Sequence, residues 1–119
     1  MPPDTFIGTD IVEVSRIKEL IDSRPRFVHK IFSQVEQNYC NGKAEPSIHY
    51  AGRFAAKEAI KKALMTSGEH SAISWTDMEI IPDNDGKPVV QLHNIKSVDC
   101  KVSISHTKDT AIATAIVTK

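Results

Sequence analysis

The chain lacks three features that would each point to a particular class of protein: a long apolar run, an excess of one charge, and a cysteine motif. No hydrophobic run approaches the roughly 20 residues of a membrane-spanning helix, and the opening residues MPPDTF do not have the form of a signal peptide. Lys and Arg together number 15, as do Asp and Glu, which argues against binding nucleic acid or a membrane through bulk charge. We therefore expect a cytoplasmic protein with neither kind of partner.

The two cysteines, Cys40 and Cys100, lie far apart and form no CxxC or Cys/His metal-binding pattern. We expect two free thiols, neither of them a nucleophile. The rest of the composition, 40% hydrophobic and 25% charged residues, is typical of a globular protein. A length of 119 residues predicts one domain, spanning residues 1–119, with a modest core.

The first part of the chain predicts one strand followed by short helices. TFIGTDIVEV alternates and is rich in β-branched residues, which predicts a strand from Phe6 to about Val14. Ser15 is placed to cap a short helix after it, and RFVHKIF predicts a second helix. In SQVE, Ser33 and Glu36 have the spacing of a capping box, which predicts the start of a third.

A long helix is then expected to begin at Pro46 and to end near Thr66 to Gly68. Beyond it the pattern alternates: ISWTDMEIIP and VVQLH predict two strands around the turn DNDGKP, and CKVSIS and TAIATAIVT predict a second hairpin around HTKD. The order predicts an α+β fold, in which an N-terminal strand, short helices and one long helix pack on a mainly antiparallel sheet.

The segment RFAAKEAIKKAL of the long helix has an apolar face made mostly of alanine, so its packing partner must approach the helix backbone closely. The opposite face carries one carboxylate, Glu58, among Lys57, Lys61 and Lys62. One explanation is a solvated ion pair between Glu58 and Lys62, which at i,i+4 spacing stabilises a helix by about 0.2–0.5 kcal/mol. The other is that the acid and the lysines together bind a metal and phosphate groups.

Two further polar positions favour the second explanation without deciding it. Asp10 interrupts an apolar strand, where aspartate is disfavoured unless it faces water, caps a helix or has a partner. His106 ends the strand VSISH beside a turn, with Ser103 and Ser105 before it, and this combination suits either a structural hydrogen bond or an anion site. If Asp10 and Glu58 meet in space, their oxygen atoms suit Mg²⁺ shared with a phosphate.

The motifs of this chain resemble those of the holo-[acyl carrier protein] synthases, the small 4′-phosphopantetheinyl transferases. The resemblance runs in order through GTDIVEVSRI, FSQVEQNYC, AGRFAAKEAIKKAL, WTDMEIIPDNDGKPVV and VSISHTKDTAIATAIV, and so covers most of the chain. The family transfers the 4′-phosphopantetheine arm of coenzyme A to a serine of an acyl carrier protein and releases adenosine 3′,5′-bisphosphate. The resemblance implies the same reaction here, in fatty acid biosynthesis, by a homotrimer with active sites between neighbouring subunits.

The resemblance also implies roles for individual residues. Asp10 and Glu58 match the family's two carboxylates that hold Mg²⁺, and Lys62 matches a lysine that contacts the phosphates; these three are the expected catalytic residues. Arg16 and Arg26 match positions at which the family docks the acidic carrier protein. The residues expected to bind coenzyme A are Arg53, Lys62, Gly86, Lys87, Pro88, Ser105 and His106.

The implied mechanism is attack of the carrier's serine on the β-phosphate of coenzyme A, with Mg²⁺ and Lys62 offsetting the charge of the leaving phosphate. The serine proton goes to Glu58 or to a metal-bound water, and the sequence does not choose between them. Two other functions remain open: a catalytically silent module that binds a nucleotide or a carrier protein, and a purely structural trimer in which Glu58 only pairs with Lys62.

Overall fold

The computed structural model describes residues 4–68 and 73–119, which form four helices, one short 3-10 helix and five strands. In chain order, the described elements are β1 Thr5–Glu13, α1 Val14–Ser23, α2 Phe27–Ile31, α3 Gln34–Asn41, α4 Pro46–Thr66, the 3-10 helix Trp75–Asp77, β2 Met78–Pro82, β3 Pro88–Leu92, β4 Asp99–His106 and β5 Thr110–Thr118. The predicted α+β fold is confirmed, with every strand pair antiparallel.

Two local predictions were wrong. Helix α1 begins at Val14 with no side-chain cap, so Ser15 lies inside the helix and does not cap it. The segment predicted as a strand from Ile73 starts instead with the 3-10 helix, because Ser74 and Asp77 form a capping box there. The capping box of Ser33 in α3 is present as predicted.

The strands form two separate sheets and not one. β1, β5 and β4 pair in that order, so β1 and β4 are the edges of the first sheet, while β2 and β3 make a two-stranded hairpin. The long helix α4 packs on one face of the first sheet. On β5 the residues of that face, Ala111, Ala113, Ala115 and Val117, are fully buried, and they alternate with exposed ones such as Ile112 and Ile116.

The thiols of Cys40 and Cys100 are free, as expected, and both are buried. Burial is the main cause that raises the pKa of each thiol to about 12. Both therefore stay protonated at neutral pH, which excludes them as nucleophiles. Among the described residues, no helix combines the length and apolarity needed to cross a membrane.

Candidate active site

Strand β1 and helix α4 bring together two of the predicted catalytic residues from distant parts of the chain. The Lys62 ammonium donates hydrogen bonds to Asp10 Oδ1 at 3.2 Å and to the Thr9 carbonyl at 2.9 Å. The Asp10 side chain is 16% exposed and that of Lys62 53% exposed, so the carboxylate lies in a recess and the lysine reaches it from the surface. Two oxygen atoms of β1, Asp10 Oδ1 and the Thr9 carbonyl oxygen, thus hold the Lys62 ammonium.

Gly8 explains how β1 approaches α4 so closely. A Cβ atom at this position would lie 2.0 Å from the Ala59 carbonyl oxygen and 2.8 Å from the Ala63 nitrogen. The alanine face of α4 is therefore the surface on which the sheet lies, as predicted from its small side chains. Gly8, Asp10 and Val12 alternate toward this helix, and so the same close approach carries Asp10 to the side of α4.

Glu58 lies one turn before Lys62 on α4 and is partly buried. The solvated ion pair considered from the sequence is not formed, because Lys62 pairs with Asp10; within residues 4–68 and 73–119, Glu58 has no ion-pair partner. No group of three or more His, Cys, Asp or Glu side chains that could hold a metal occurs among these described residues. The available donor set is two carboxylates, Asp10 and Glu58, which fits Mg²⁺ because that ion binds one or two carboxylates and fills its other positions with water and phosphate.

Lys57, which the sequence placed on the phosphate-binding face, lies instead in the core. Its ammonium is fully buried and donates to Glu36 Oε1 at 2.7 Å. Burial lowers the pKa of Lys57, and the Glu36 carboxylate opposes that shift. Lys61 also points elsewhere, with its ammonium 4.3 Å from the centre of the Trp75 ring. Among the described lysines, only Lys62 pairs with Asp10.

Arg53 lies at the centre of a cationic and aromatic cluster between α3, α4 and the end of β4. Its guanidinium lies 3.9 Å over the Tyr39 ring, and its Nε and Nη2 atoms are buried with no hydrogen-bond partner among the described residues. The rings of His49 and His106 are 5.8 Å apart, and His49 also contacts Tyr39.

The electrostatics of this cluster favour an anionic ligand. Burial first, and then the positive charge of Arg53, His106 and Lys43, lowers the pKa of His49. Buried donors without an acceptor cost free energy, and an anion that accepted from Arg53 would remove that cost. The family resemblance implied Arg53 and His106 as binding residues, whereas the position of Tyr39 and His49 beside them had no sequence signal.

The remaining residues predicted to bind coenzyme A lie on other surfaces. Ser105 and His106 are neighbours in a strand and point to opposite faces, so only His106 reaches the Arg53 cluster. Gly86, at a φ of +83°, forms the tip of the β2–β3 turn. Lys87 and Pro88 line a cleft of about 660 Å³ between β3 and β4.

Arg16 and Arg26 lie on the rim of one pocket of about 420 Å³, which we call the basic pocket. Arg24 and Lys30 complete its positive rim. Its floor is apolar and consists of Leu20, Phe27, Ile31, Phe54 and Trp75, with the rings of Phe54 and Trp75 stacked at 5.5 Å. The sequence predicted the basic rim, but the aromatic floor was missed because its residues come from α1, α2, α4 and the 3-10 helix.

Comparison with known proteins identifies the family. A family model described as the 4′-phosphopantetheinyl transferase superfamily matches residues 6–116. The chain is 41% identical to the holo-[acyl-carrier-protein] synthase of Caldanaerobacter subterraneus subsp. tengcongensis, over 95% of this chain and 94% of that protein. The structure matches the ACPS–CoA complex of Chronobacterium ammoniagenes with a TM-score of 0.84 and 25% identity, over 96% of both chains.

A second structural match is the holo-(acyl-carrier-protein) synthase of Bacillus anthracis in complex with CoA (3′,5′-ADP), with a TM-score of 0.79 and 32% identity over 96% of both chains. These relatives agree with the order of motifs in the sequence and with the fold. The chain therefore belongs to the 4′-phosphopantetheinyl transferase superfamily and, within it, to the holo-[acyl-carrier-protein] synthases.

Proposed function

We propose that this protein, a single domain over residues 1–119, transfers the 4′-phosphopantetheine group of coenzyme A to a serine of apo-acyl carrier protein. The products are holo-acyl carrier protein and adenosine 3′,5′-bisphosphate, and the reaction serves fatty acid biosynthesis in the cytoplasm. The observation that carries the proposal is the contact of Lys62 with Asp10, one helical turn from Glu58. This contact supports a site in which Lys62, Asp10 and Glu58, the residue types that the family's chemistry needs, act together.

Asp10 and Glu58 are the residues that would hold Mg²⁺, which neutralises charge on the diphosphate when bound. The Lys62 ammonium has two positions available to it, one at Asp10 and one at a phosphate oxygen. An exposed ion pair contributes only about 0.2–1 kcal/mol, so its ammonium can turn from Asp10 to a phosphate oxygen at little cost. Asp10 is then left to the metal, and Lys62 offsets the charge on the leaving phosphate.

Glu58 is the residue of this chain best placed to accept the serine proton. It has no ion-pair partner among the described residues. On α4 it lies between Phe54, which lines the basic pocket, and Lys62, which contacts Asp10. The carrier's serine oxygen then forms a bond to the β-phosphorus of coenzyme A, the bond from that phosphorus to the bridging oxygen breaks, and adenosine 3′,5′-bisphosphate leaves with the electron pair.

The nucleotide end of coenzyme A is assigned to the cluster around Arg53 and His106. Phosphate oxygens would accept from the orphaned Nε and Nη2 atoms of Arg53, a charge-assisted and bidentate arrangement. Ser105 and the segment Gly86–Pro88 are assigned to the same ligand. Ser105 points to the face opposite His106, and Lys87 and Pro88 line a separate cleft, so we assign these residues to the site of a neighbouring subunit.

The exposed face of the first sheet supports a homotrimer with such shared sites. Ile7 and Ile11 of β1 lie opposite Ile116 and Ile112 of β5, and all four side chains are 39–66% exposed. Four exposed isoleucines on one face of a small sheet, with only the pair Thr9 and Thr114 between them, favour a protein–protein interface. A second copy of this chain is the occupant that we assign to it.

The acyl carrier protein is assigned to the basic pocket. Acyl carrier proteins are acidic, and four cationic side chains surround the apolar floor of this pocket, while the whole chain has a formal net charge of zero. Arginine can hold a carboxylate through two parallel hydrogen bonds, so Arg16 and Arg26 would set the register of the carrier as well as attract it.

The experiment that tests the function is incubation with coenzyme A, Mg²⁺ and apo-acyl carrier protein, followed by intact mass measurement of the carrier. We expect a gain of one phosphopantetheine arm, and no gain when Mg²⁺ is replaced by a chelator. An unchanged carrier mass together with binding of the carrier would favour the silent binding module instead. An unchanged mass without binding would favour the structural trimer.

A further inference from the structure

A buried ion pair that the proposed chemistry does not use lies directly beneath the basic pocket. Glu36 at the start of α3 and Lys57 in α4 are both fully buried, with 2.7 Å between Oε1 and Nζ. Glu36 also accepts hydrogen bonds from the Ser33 and Ile80 backbone nitrogens, each at 2.8 Å. The carboxylate is thus fixed by α3 and β2 before it meets the lysine.

The other two bonds of the Lys57 ammonium go to the basic pocket itself. It donates to the carbonyl of Ile31 at 2.7 Å and to the carbonyl of Trp75 at 3.0 Å. Ile31 ends α2 and Trp75 begins the 3-10 helix, and both residues line the pocket. A single ammonium group therefore joins two walls of the basic pocket that come from separate elements.

The positions of the aromatic side chains above this ammonium depend on its bonds to the Ile31 and Trp75 carbonyls. Trp75 stacks on Phe54, which contacts Phe27 with 6.1 Å between the ring centres. Phe54 is fixed by its place in α4, whereas Trp75 belongs to a helix of only three residues. The bond from Lys57 to the Trp75 carbonyl thus ties the backbone that carries this ring to α4.

An ion pair is not needed here for stability alone. Exchange of a buried ion pair for hydrophobic side chains of similar size is often neutral or stabilising, whereas removal of one partner is strongly destabilising. What a hydrophobic side chain cannot do is donate to two carbonyls at once. The role of Lys57 is therefore to set the spacing between Ile31 and Trp75.

We propose that Lys57, held by Glu36, is a positioning residue for carrier-protein docking. Its ammonium sets the distance between the Ile31 and Trp75 walls, so that an apolar side chain of the acidic carrier enters between Phe27 and Trp75. This inference rests on the proposed function, since it takes the basic pocket to be the docking site. It assigns Lys57 no contact with substrate.

The test uses the full-length protein with two variants, Lys57→Met and Lys57→Met/Glu36→Gln. The single variant leaves the Glu36 carboxylate buried without its cation, so it should have the lower Tm; the double variant removes that charge and should recover much of the loss. In both, the Ile31 and Trp75 carbonyls lose their donor. We expect the KM for apo-acyl carrier protein to rise about fivefold or more, because the two pocket walls lose the ammonium that joins them, with the KM for coenzyme A and kcat unchanged.

Trp75 is the only tryptophan of the chain, so its fluorescence reports on this wall of the pocket alone. In both variants we expect stronger quenching by acrylamide than in the wild type, because the ring is less firmly held against Phe54. Val117→Ala is the matched control: it removes buried apolar volume from β5, away from the basic pocket, and should lower the Tm without changing the quenching or the carrier KM.

A double variant with the carrier KM and quenching of the wild type would overturn the proposal. So would a parallel rise in both KM values, or a double variant that does not fold, because the ion pair would then serve the fold in general. Failure of the proposed function has different signatures. A wild type that does not modify the carrier refutes the activity, and an Arg26→Glu variant with an unchanged carrier KM refutes the docking site.

Discussion

Gly8→Ala is a one-methyl change that tests whether the close approach of β1 to α4 builds the active site. The added Cβ would lie 2.0 Å from the Ala59 carbonyl oxygen and 2.8 Å from the Ala63 nitrogen. Both are backbone atoms of a helix, so no side chain can rotate out of the way. Strand and helix must separate by about 1.4 Å before the shorter contact reaches ordinary van der Waals distance.

The separation of β1 from α4 lowers the free energy of unfolding. Overpacking of a core costs about 1–3 kcal/mol, and a clash of backbone with backbone belongs at the upper end. In a chain of 119 residues, each kcal/mol corresponds to about 4 °C, so we expect the Tm to fall by about 12 °C. Asp10 moves with β1 while Glu58 and Lys62 stay with α4, and a misplacement near 1 Å costs about a hundredfold in rate.

The assays are thermal unfolding by circular dichroism and phosphopantetheine transfer at a temperature where the variant is folded. Protein concentration is kept equal, since an oligomer's Tm depends on it. The control is Gly42→Ala, because Gly42 has a φ of −79° and the nearest atom to its added Cβ is the Asn38 carbonyl oxygen at 3.4 Å. It should shift the Tm by less than about 4 °C. A Gly8→Ala protein with wild-type Tm and rate would refute the reasoning.

Four further predictions concern the other surfaces. Asp10→Ala and Glu58→Ala should each abolish transfer at saturating Mg²⁺ while circular dichroism shows an intact fold; near-normal turnover of both would refute the metal assignment. Arg16→Glu should raise the carrier KM about tenfold, or about 1.4 kcal/mol, and rising salt should weaken the wild type toward the variant; an effect on coenzyme A alone would move the docking surface elsewhere. Light scattering should give the mass of a trimer for the wild type and a smaller mass for Ile11→Lys; a wild-type monomer at micromolar concentration would contradict the shared sites. Burial and neighbouring cations lower the pKa of His49 below its ordinary 6.5, so its contribution to stability is present above pH 6.5 and is lost as the pH falls; His49→Gln should therefore lose less stability on acidification than the wild type, and an equal loss would refute this.

Most of the fold could be predicted from the sequence because its signals are local. Alternation marks β1 and β5, and the Ser33 capping box and Pro46 mark the starts of α3 and α4. One exception is the start of β2, where Ser74 and Asp77 cap a 3-10 helix at a point where the alternating pattern is equally good for a strand. The division into two sheets also had no local signal, because it depends on which strand edges meet.

The site was predicted in part, and the errors have a common cause. Lys57 and Lys62 have the same side chain on the same helix, yet one is buried with Glu36 and the other reaches Asp10 from solvent. Spacing on a helix tells which residues share a face, but not what lies opposite that face. The family resemblance implies Mg²⁺ as the partner of Glu58 and phosphate as the partner of Lys62, which both stay predictions, and it implies nothing for Lys57.

Helix α4 carries residues that we assign to both substrates, the acyl carrier protein and coenzyme A. Glu58 follows Lys57 by one residue, or about 100° of helix rotation, so adjacent side chains face different surfaces. Lys57 and Phe54 support the basic pocket, Lys62 contacts Asp10 of β1, and Arg53 lies in the cationic cluster. If the proposed sites are correct, α4 contributes residues to both, and the distance between those residues is set by helix geometry rather than by loops. A reaction whose protein contribution is mainly orientation and charge benefits from that rigidity.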